Sequence, residues 1–361
     1  MKRYDVCIIG GGAAGLAAAA SLDKDINACI LEKNEIPGKK IMATGGGRCN
    51  ITNSACPCKD LTLDFFRSMG LETYCDDEGR YYPYSNQASD VVKTLTRAAD
   101  ENHVEIITSA QVTEVAKAKD GEGFRITYGK GRKLHASSVI LATGGKAAPQ
   151  FGTTGDGYAV ARSLGHTIER VYPVLTSLEC GDFTDIKGVR AKGRVGIYKD
   201  GRLLHEETGE IQFTADGISG ICVFNLTTYV KAEKGEAVKD ALKRFAVKAD
   251  LAPDFTYEHI SRRNSSFGIL SEKLASRVSI DMIKEWTLPV LGVKGWKNAQ
   301  CTAGGVATEE IDMDTMESKV ASGLYLAGEI IDIQGPCGGY NLQNAWETGI
   351  KAAKALNGRL R

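Results

Sequence analysis

Residues 4–32 leave this chain little freedom in what it can fold into. Tyr4-Asp5-Val6-Cys7-Ile8-Ile9 is a short apolar strand, and Gly10-Gly11-Gly12-Ala13-Ala14-Gly15 follows without a gap. Leu16 to Leu22 continue as a helix of small residues. Ile26 to Leu31 form a second apolar run that ends at Glu32. Each part has a task in a nucleotide-binding βαβ unit. Gly10 permits the tight turn, Gly12 lets backbone approach a pyrophosphate, and Gly15 lets the helix lie close on the strand. The helix N-terminus offers open N–H groups and a partial positive charge to phosphates. Glu32, beyond the second strand, is placed to accept hydrogen bonds from a ribose. A glycine turn alone is weak evidence; strand, helix, second strand and terminal acid in order describe a dinucleotide site.

The rest of the chain must be consistent with that start. At 361 residues it is long enough for two domains, or for one domain carrying an insertion. Lys+Arg and Asp+Glu both number 45, with no basic block or stripe of the kind nucleic-acid-handling proteins carry. The first strand begins at residue 4, which leaves no room for a secretory leader. No apolar run approaches the roughly 20 residues that span a bilayer. Ten scattered cysteines read as reduced thiols. The expectation is a cytoplasmic protein.

Along the chain, Lys33 to Lys40 is a polar loop. Thr44-Gly45-Gly46-Gly47-Arg48-Cys49-Asn50-Ile51-Thr52-Asn53 follows, and three consecutive glycines exclude a helix or strand interior there. They can bring backbone N–H groups up to a flat ligand, and donor-rich Arg48 and Asn50 favour that reading over a plain surface loop. Cys56-Pro57-Cys58 lacks the spacing and the second pair of a zinc site. Leu61 to Met69 and Ala88 to Glu101 are helices, the latter with Val91, Val92, Leu95 and Ala98 on one face. Short strands at His103–Thr108, Val112–Lys117, Phe124–Tyr128 and Lys133–Ala136 form a meander. Val139 to Leu141 is a further buried strand that ends in Ala142-Thr143-Gly144-Gly145. Ligands of open α/β sheets gather at the carboxyl ends of strands, so this turn belongs with Gly10 to Gly15. Asp156 is expected to cap a helix running to Leu164.

From about residue 170 the texture changes. Leu175 to Val230 alternates polar and apolar residues around turns at Lys199-Asp200-Gly201 and Asp216-Gly217, which predicts antiparallel β structure. Glu236 to Lys248 reads as an amphipathic helix through Val238, Ala241, Leu242, Phe245 and Ala246. Further helix is expected at Thr256–Ile260 and Leu270–Trp286. The fold class is therefore α/β: a Rossmann-like domain over residues 1–170 and 307–361. The insertion at 171–306 is an antiparallel β-barrel with a helical part at about 231–287. Gly323-Leu324-Tyr325-Leu326-Ala327-Gly328-Glu329 restores the dinucleotide texture, and Gly338-Gly339-Tyr340-Asn341-Leu342-Gln343 opens a helix through about Leu356.

GxGxxG, a distal acid, an Ala-Thr-Gly turn and a late Gly-Leu-Tyr-Leu-Ala-Gly-Glu, in this order, resemble the flavoproteins of glutathione-reductase type. The 44–53 and 338–343 stretches resemble signatures of the YhiN-like family. Its members are described as aminoacetone oxidases or, in the BaiN branch, as bile-acid reductases. Gly209-Glu210-Ile211-Gln212-Phe213-Thr214 through Gly217-Ile218-Ser219-Gly220 resembles its inserted barrel, and Thr153 to Gly157 echoes fumarate-reductase flavoproteins. The resemblance implies noncovalent FAD held by Gly10, Gly12, Ala13, Ala14, Gly15, Glu32, Lys33, Lys40, Gly45, Gly46, Arg48, Cys49, Asn50 and Val112. It carries over the same duty to Thr143, Gly144, Gly145, Gly328, Glu329, Gly339, Tyr340, Asn341 and Leu342. Glu32 would take the adenosine ribose and Glu329 the ribityl–pyrophosphate side. One departure stands out: the family often carries a bulky residue before Gly-Gly-Tyr-Asn, where this chain has Gly335-Pro336-Cys337.

A flavin carries the redox chemistry, and the protein places and tunes it. Catalytic candidates are Arg48, toward a substrate carboxylate or oxyanion, and Cys337 and Tyr340, lining the substrate side. For Arg48 contact with the cofactor is the favoured duty and the substrate contact its alternative. The five histidines show no spacing of ligands or of a triad. Only one glycine-rich βαβ motif is present, so NAD(P)H visits transiently as electron donor or dioxygen is the oxidant. The expected substrate is a small molecule, with no nucleic acid or membrane partner, and the protein is a monomer or homodimer. The competing readings are an amine oxidase, an enone reductase, a flavin-dependent tRNA-modifying enzyme and a redox sensor without turnover.

Overall fold

The computed structural model describes residues 1–118 and 121–360. The chain falls into two units, Met1–Val171 with Cys301–Arg361, and Tyr172–Gln300. The first unit is built on β1 (Lys2–Ile9), α1 (Ala13–Ser21) and β2 (Ala28–Leu31). After them come α2 (Ala88–Glu101), β3 (Glu105–Ile107), β4 (Val112–Lys117), β5 (Phe124–Tyr128), β6 (Arg132–Leu141) and α3 (Asp156–Ser163). Val6 to Ile9 are buried throughout, as a central parallel strand covered on both faces requires. β1 lies between β2, in register Val6↔Ala28 through Ile9↔Leu31, and β6, in register Lys2↔Leu134 through Ile9↔Leu141.

Two expectations change here. The separate strands at 133–136 and 139–141 are one strand, because the ladder with β1 runs through the Ser137-Ser138 pair that reads as a break. The early half of β6 pairs with β5, and its last three residues pair in parallel with Leu324–Leu326. Nor does β3 belong to the meander: it extends the parallel sheet beside β2, and the antiparallel pairs are β4 with β5 and β5 with β6.

Helix α1 has no polar face because it is covered on every side. Its small residues permit that closeness. A β-carbon on Gly15 would fall 1.9 Å from the Gly10 carbonyl oxygen, and one on Gly349 of the terminal helix Tyr340–Leu360 would fall 2.3 Å from the Ala14 carbonyl oxygen. In α2 the expected stripe, Val91, Val92, Leu95 and Ala98, is buried, and Ala88 and Ala99 are buried with it.

The second unit contains β7 (Leu178–Glu179), β8 (Arg190–Lys199), β9 (Arg202–Phe213), β10 (Gly217–Ser219), β11 (Phe245–Asp250), β12 (Trp286–Pro289) and β13 (Gly292–Val293). They pair in the order β12-β11-β8-β9-β10-β7-β13, and the described pairs are antiparallel. Only Val290 and Leu291 separate β12 from β13, so the two ends of the sheet are one stretch of chain and the sheet closes on itself. Inside sit Val195, Ile197, Ile211, Phe213, Val247, Trp286 and Leu288.

The helical part of this unit is much smaller than its sequence suggests. Of 236–248 only Val238–Leu242 is helical, and Phe245 begins β11. Phe245, Val247 and Ala249 point inward with Ala246, Lys248 and Asp250 between them, a period-two pattern hidden inside a run that also fits a helix. Of 270–286 only Glu272–Ala275 is helical, and Trp286 opens β12. In the stretch expected to be all strand, Ile221–Leu226 forms a helix. Tyr257–Ser261 is helical as expected, with the Thr256 side chain accepting from His259 N–H at its start.

Candidate active site

The carboxyl ends of β1, β2 and β6 and of Leu324–Leu326 converge; the chain leaves β1, β6 and Leu324–Leu326 through glycine and β2 through Glu32. Gly12 starts α1, and the first helical hydrogen bond runs from Leu16 N to Gly12 O. The N–H groups of Ala13, Ala14 and Gly15 therefore lack helical acceptors, and no side chain caps them. A β-carbon at Gly12 would meet no protein atom within 4 Å. Gly15 is needed by the fold, whereas Gly12 is bare toward the open side.

Glu32 is 6% exposed and held from two directions. One carboxylate oxygen accepts from Gly11 N–H at 2.7 Å, the other from Asn34 N–H and side-chain amide at 2.7 and 2.8 Å. Ala110 N–H donates to the Glu32 carbonyl at 2.8 Å, which brings Val112 to the same end. Lys33 sits differently. Its ammonium binds the Asp156 carboxylate at 2.9 and 3.0 Å and the Thr154 hydroxyl at 2.9 Å. Asp156 therefore does not cap α3: Gly155 occupies the N-cap with φ +79, and Asp156 is the first helical residue. A left-handed cap suits glycine, and the carboxylate is spent on Lys33.

At the second end, Glu329 accepts from Lys40 at 2.6 Å and from Thr302 N–H at 2.7 Å. Burial works against the Lys40 ammonium, but the Glu329 carboxylate outweighs it and keeps the pKa above its ordinary value. The Thr302 hydroxyl accepts from Lys146 and Ala147 N–H at 2.8 and 3.0 Å. A β-carbon at Gly145 would fall 2.4 Å from Thr302 Oγ1 and 3.0 Å from Glu329 Oε1. Gly328, with φ +77, lies over α1 so closely that its β-carbon would be 2.9 Å from that of Ala14. Thr143, Gly144, Gly145, Gly328, Glu329 and α1 thus form one polar corner. Thr302 was invisible in the sequence: it lies in 301–306, read as insertion but folded with the first unit.

The triple-glycine loop carries four left-handed residues, Gly45, Gly46, Gly47 and Cys49, at φ +56, +66, +88 and +62. Gly46 and Gly47 would present a β-carbon to open space, while Gly45 packs against Asn50 and Tyr82. The Arg48 guanidinium lies 4.3 Å from the Tyr82 ring centroid and donates to the Tyr82 hydroxyl at 3.4 Å. Cys49 is sealed beneath, and burial pushes its thiol up to about 12.

This loop is tied to the terminal helix. Thr52 and Asn53 donate to the Gln343 side chain at 2.6 Å and the Gly338 carbonyl at 3.0 Å. Trp346 donates to the Ile51 carbonyl at 3.0 Å. Gly339, with φ +108, passes so close to Thr52 that a β-carbon would come within 2.7 Å of its carbonyl. The two motifs occur together because they pack on each other. The side chain of Asn341 brackets Gly335, accepting from its N–H and donating to its carbonyl, both at 2.9 Å. The Asn341 backbone N–H precedes the first helical hydrogen bond, from Gln343 N to Gly339 O. Leu342 is partly buried against the core. Burial raises the pKa of Cys337 and Tyr340, so both stay protonated near neutrality.

One feature escaped the sequence altogether. His166 stands between Glu310 at 2.9 Å and Ser318 at 2.8 Å, the connectivity of a hydrolytic triad. Ser318 Oγ also accepts from Val320 and Ala321 N–H at 3.0 and 2.8 Å, and His166 and Ser318 are both buried. That relay staples the turn before Leu324–Leu326; its serine is no free nucleophile.

Whether these residues suit FAD can be judged from the corner itself. It has a helix start with open donors, a glycine facing empty space, and acids at opposite ends. Among the described residues the Thr143 hydroxyl is buried without a partner, a polar atom that calls for a ligand or water. The residues fit the cofactor.

Fold and corner together define an FAD-dependent oxidoreductase. Its sequence matches the profile described as HI0933-like protein Rossmann domain over residues 4–62 and 56–355, and the chain belongs to that family. It is 36% identical to a 3-dehydro-bile acid delta(4,6)-reductase of Clostridium scindens, covering 96% of this chain and 98% of the relative. It is 27% identical to a ribosomal RNA dihydrouridine synthase of Escherichia coli, covering 99% and 98%. In fold it is similar to 3-ketosteroid-delta4-(5alpha)-dehydrogenase of Rhodococcus jostii, at a TM-score of 0.53 and 14% identity, over 99% of this chain and 97% of that one. Among the described residues, no helix is long and apolar enough to cross a membrane.

Proposed function

We propose that this enzyme reduces a carbon–carbon double bond conjugated to a carbonyl in a small molecule, with NAD(P)H as transient electron donor. The observation that carries the reading is the full-length 36% identity to a reductase of an unsaturated 3-oxo bile acid. An aminoacetone-type oxidation becomes the lesser branch. Bound FAD supplies hydride exchange at N5. The protein's part is placement: α1 and Glu32 hold the dinucleotide end, and Lys40, Thr143 and Glu329 the middle. The loop at 44–50 and the start of the terminal helix frame the ring. The N–H groups of Tyr340, Asn341 and Leu342 precede the first bond of that helix, from Gln343 N to Gly339 O. They favour negative charge placed before them. Tyr340 and Cys337, both protonated, offer a proton to a substrate carbanion, and Arg48 an oxyanion contact.

A second reading has a specific observation behind it. The 27% relatives bear the name of an RNA enzyme, and uracil's reducible bond is also conjugated to a carbonyl. Equal numbers of acidic and basic residues favour the small-molecule substrate. Anaerobic mixing with NADH or NADPH, then with a 4-en-3-one steroid or with ribosomal RNA, decides between them. We expect reduction of the flavin by the pyridine nucleotide, turnover of the steroid and slow reaction with oxygen. Dihydrouridine formation that collapses as salt rises from 50 to 200 mM would assign the enzyme to RNA instead.

A further inference from the structure

Gln343 has no chemistry of its own, yet it is 3% exposed and spends its whole amide on the 44–58 segment. Its carbonyl oxygen accepts from the fully buried Thr52 hydroxyl at 2.6 Å, and its NH₂ donates to the Cys58 carbonyl at 3.0 Å. The bonds from Asn53 to Gly338 and from Trp346 to Ile51 flank this pair on either side. A helix start that follows two left-handed glycines, Gly338 and Gly339 at φ +118 and +108, would otherwise be free to tilt. Four hydrogen bonds with residues 51–58, two donated by that segment and two accepted by it, stop it.

We propose that Gln343, through Thr52, is a positioning residue that sets how readily the bound flavin is reduced. It fixes the open N–H groups of Tyr340 to Leu342 in distance and angle against the ring. The proposal rests on the reading that the terminal helix faces the ring edge that gains negative charge on reduction. Charge–dipole stabilisation at a helix terminus fades within one turn, so a small tilt weakens it measurably. A merely structural glutamine would alter stability and leave the redox equilibrium alone.

The test uses purified holoenzyme carrying Gln343→Met, Thr52→Val, Thr52→Ser or Asn341→Asp. FAD occupancy is read from absorbance, and the reduction equilibrium against an indicator dye under anaerobic conditions. Gln343→Met and Thr52→Val should keep their FAD and shift the equilibrium about tenfold toward the oxidised form, with Thr52→Ser close to wild type. Equilibria within twofold of wild type at full occupancy overturn the proposal; if Gln343→Met does not fold, Thr52→Val decides by the same criterion. Asn341→Asp separates the two layers, because it adds a carboxylate to the same turn; it keeps the acceptor for Gly335 N–H, loses the bonds to the Gly335 and Pro336 carbonyls, and leaves Gln343 and Thr52 untouched. A shift in Asn341→Asp alone sinks the role of Gln343 and leaves the helix facing the ring. No shift in any variant sinks the placement of the helix as well.

Discussion

Gly12 and Gly15 look interchangeable as letters and are opposites in space. A side chain at Gly15 collides with the Gly10 carbonyl, so Gly15→Ala should fail to accumulate as folded protein or melt far below wild type. The β-carbon of Gly12→Val meets no protein atom within 4 Å, so the variant should melt within a few degrees of FAD-free wild type yet purify colourless. A yellow Gly12→Val protein would mean that the pyrophosphate lies elsewhere. Glu32 gives a complementary test. Glu32→Ala removes a charged acceptor, each such hydrogen bond being worth roughly 1.5–3 kcal/mol. FAD affinity should fall at least tenfold while FMN, which lacks the adenosine, binds as before. Equal losses for both flavins would place Glu32 away from the ribose. The cysteines divide in the same way: Cys58 and Cys75 are exposed, whereas burial holds Cys49 protonated through any working pH. Native alkylation at pH 8, read by mass spectrometry, should modify the first two and spare Cys49.

Among elements, the barrel strand β11 shows what period counting misses. Its neighbour pairs fill both edges, Arg194↔Asp250 to Lys199↔Phe245 on β8 and Ala246↔Pro289 to Ala249↔Trp286 on β12. Those partners lie about fifty residues before it and forty after. No local propensity reports them, and a helix of the same composition is locally as good. The strand ends on a nearly buried ion pair. Lys284 lies 2.7 Å from Asp250 and donates to the Ala252 and Phe255 carbonyls at 2.8 and 2.9 Å. Lys284→Met strands the carboxylate and should cost about 3 kcal/mol, the low end for a broken buried pair because Arg194 stays 3.5 Å away. Chemical denaturation measures it, and a change under 1 kcal/mol would show the carboxylate to be solvated.

For the whole molecule, the dinucleotide unit was legible and the barrel's detail was not. In the first unit βαβ geometry, turn and acid are written in contiguous residues, because a strand, a tight turn and a helix are local events. α2 likewise emerged with its bounds and its buried stripe intact. What belonged to long range did not: the single strand across Ser137-Ser138, the hydrogen bonds of Thr302, and the Glu310–His166–Ser318 relay that joins residues 152 and 144 positions apart. By itself the sequence determined a dinucleotide-binding α/β unit with an inserted β-rich segment, and it named the two loops at 44–53 and 338–343. The tertiary structure alone decided that these loops hold each other through Thr52, Asn53 and Gln343, and that Lys33 is spent on Asp156. The reason is physical: backbone periodicity is a property of neighbours in the chain, whereas a buried polar side chain takes whichever partner the finished fold brings within hydrogen-bond reach.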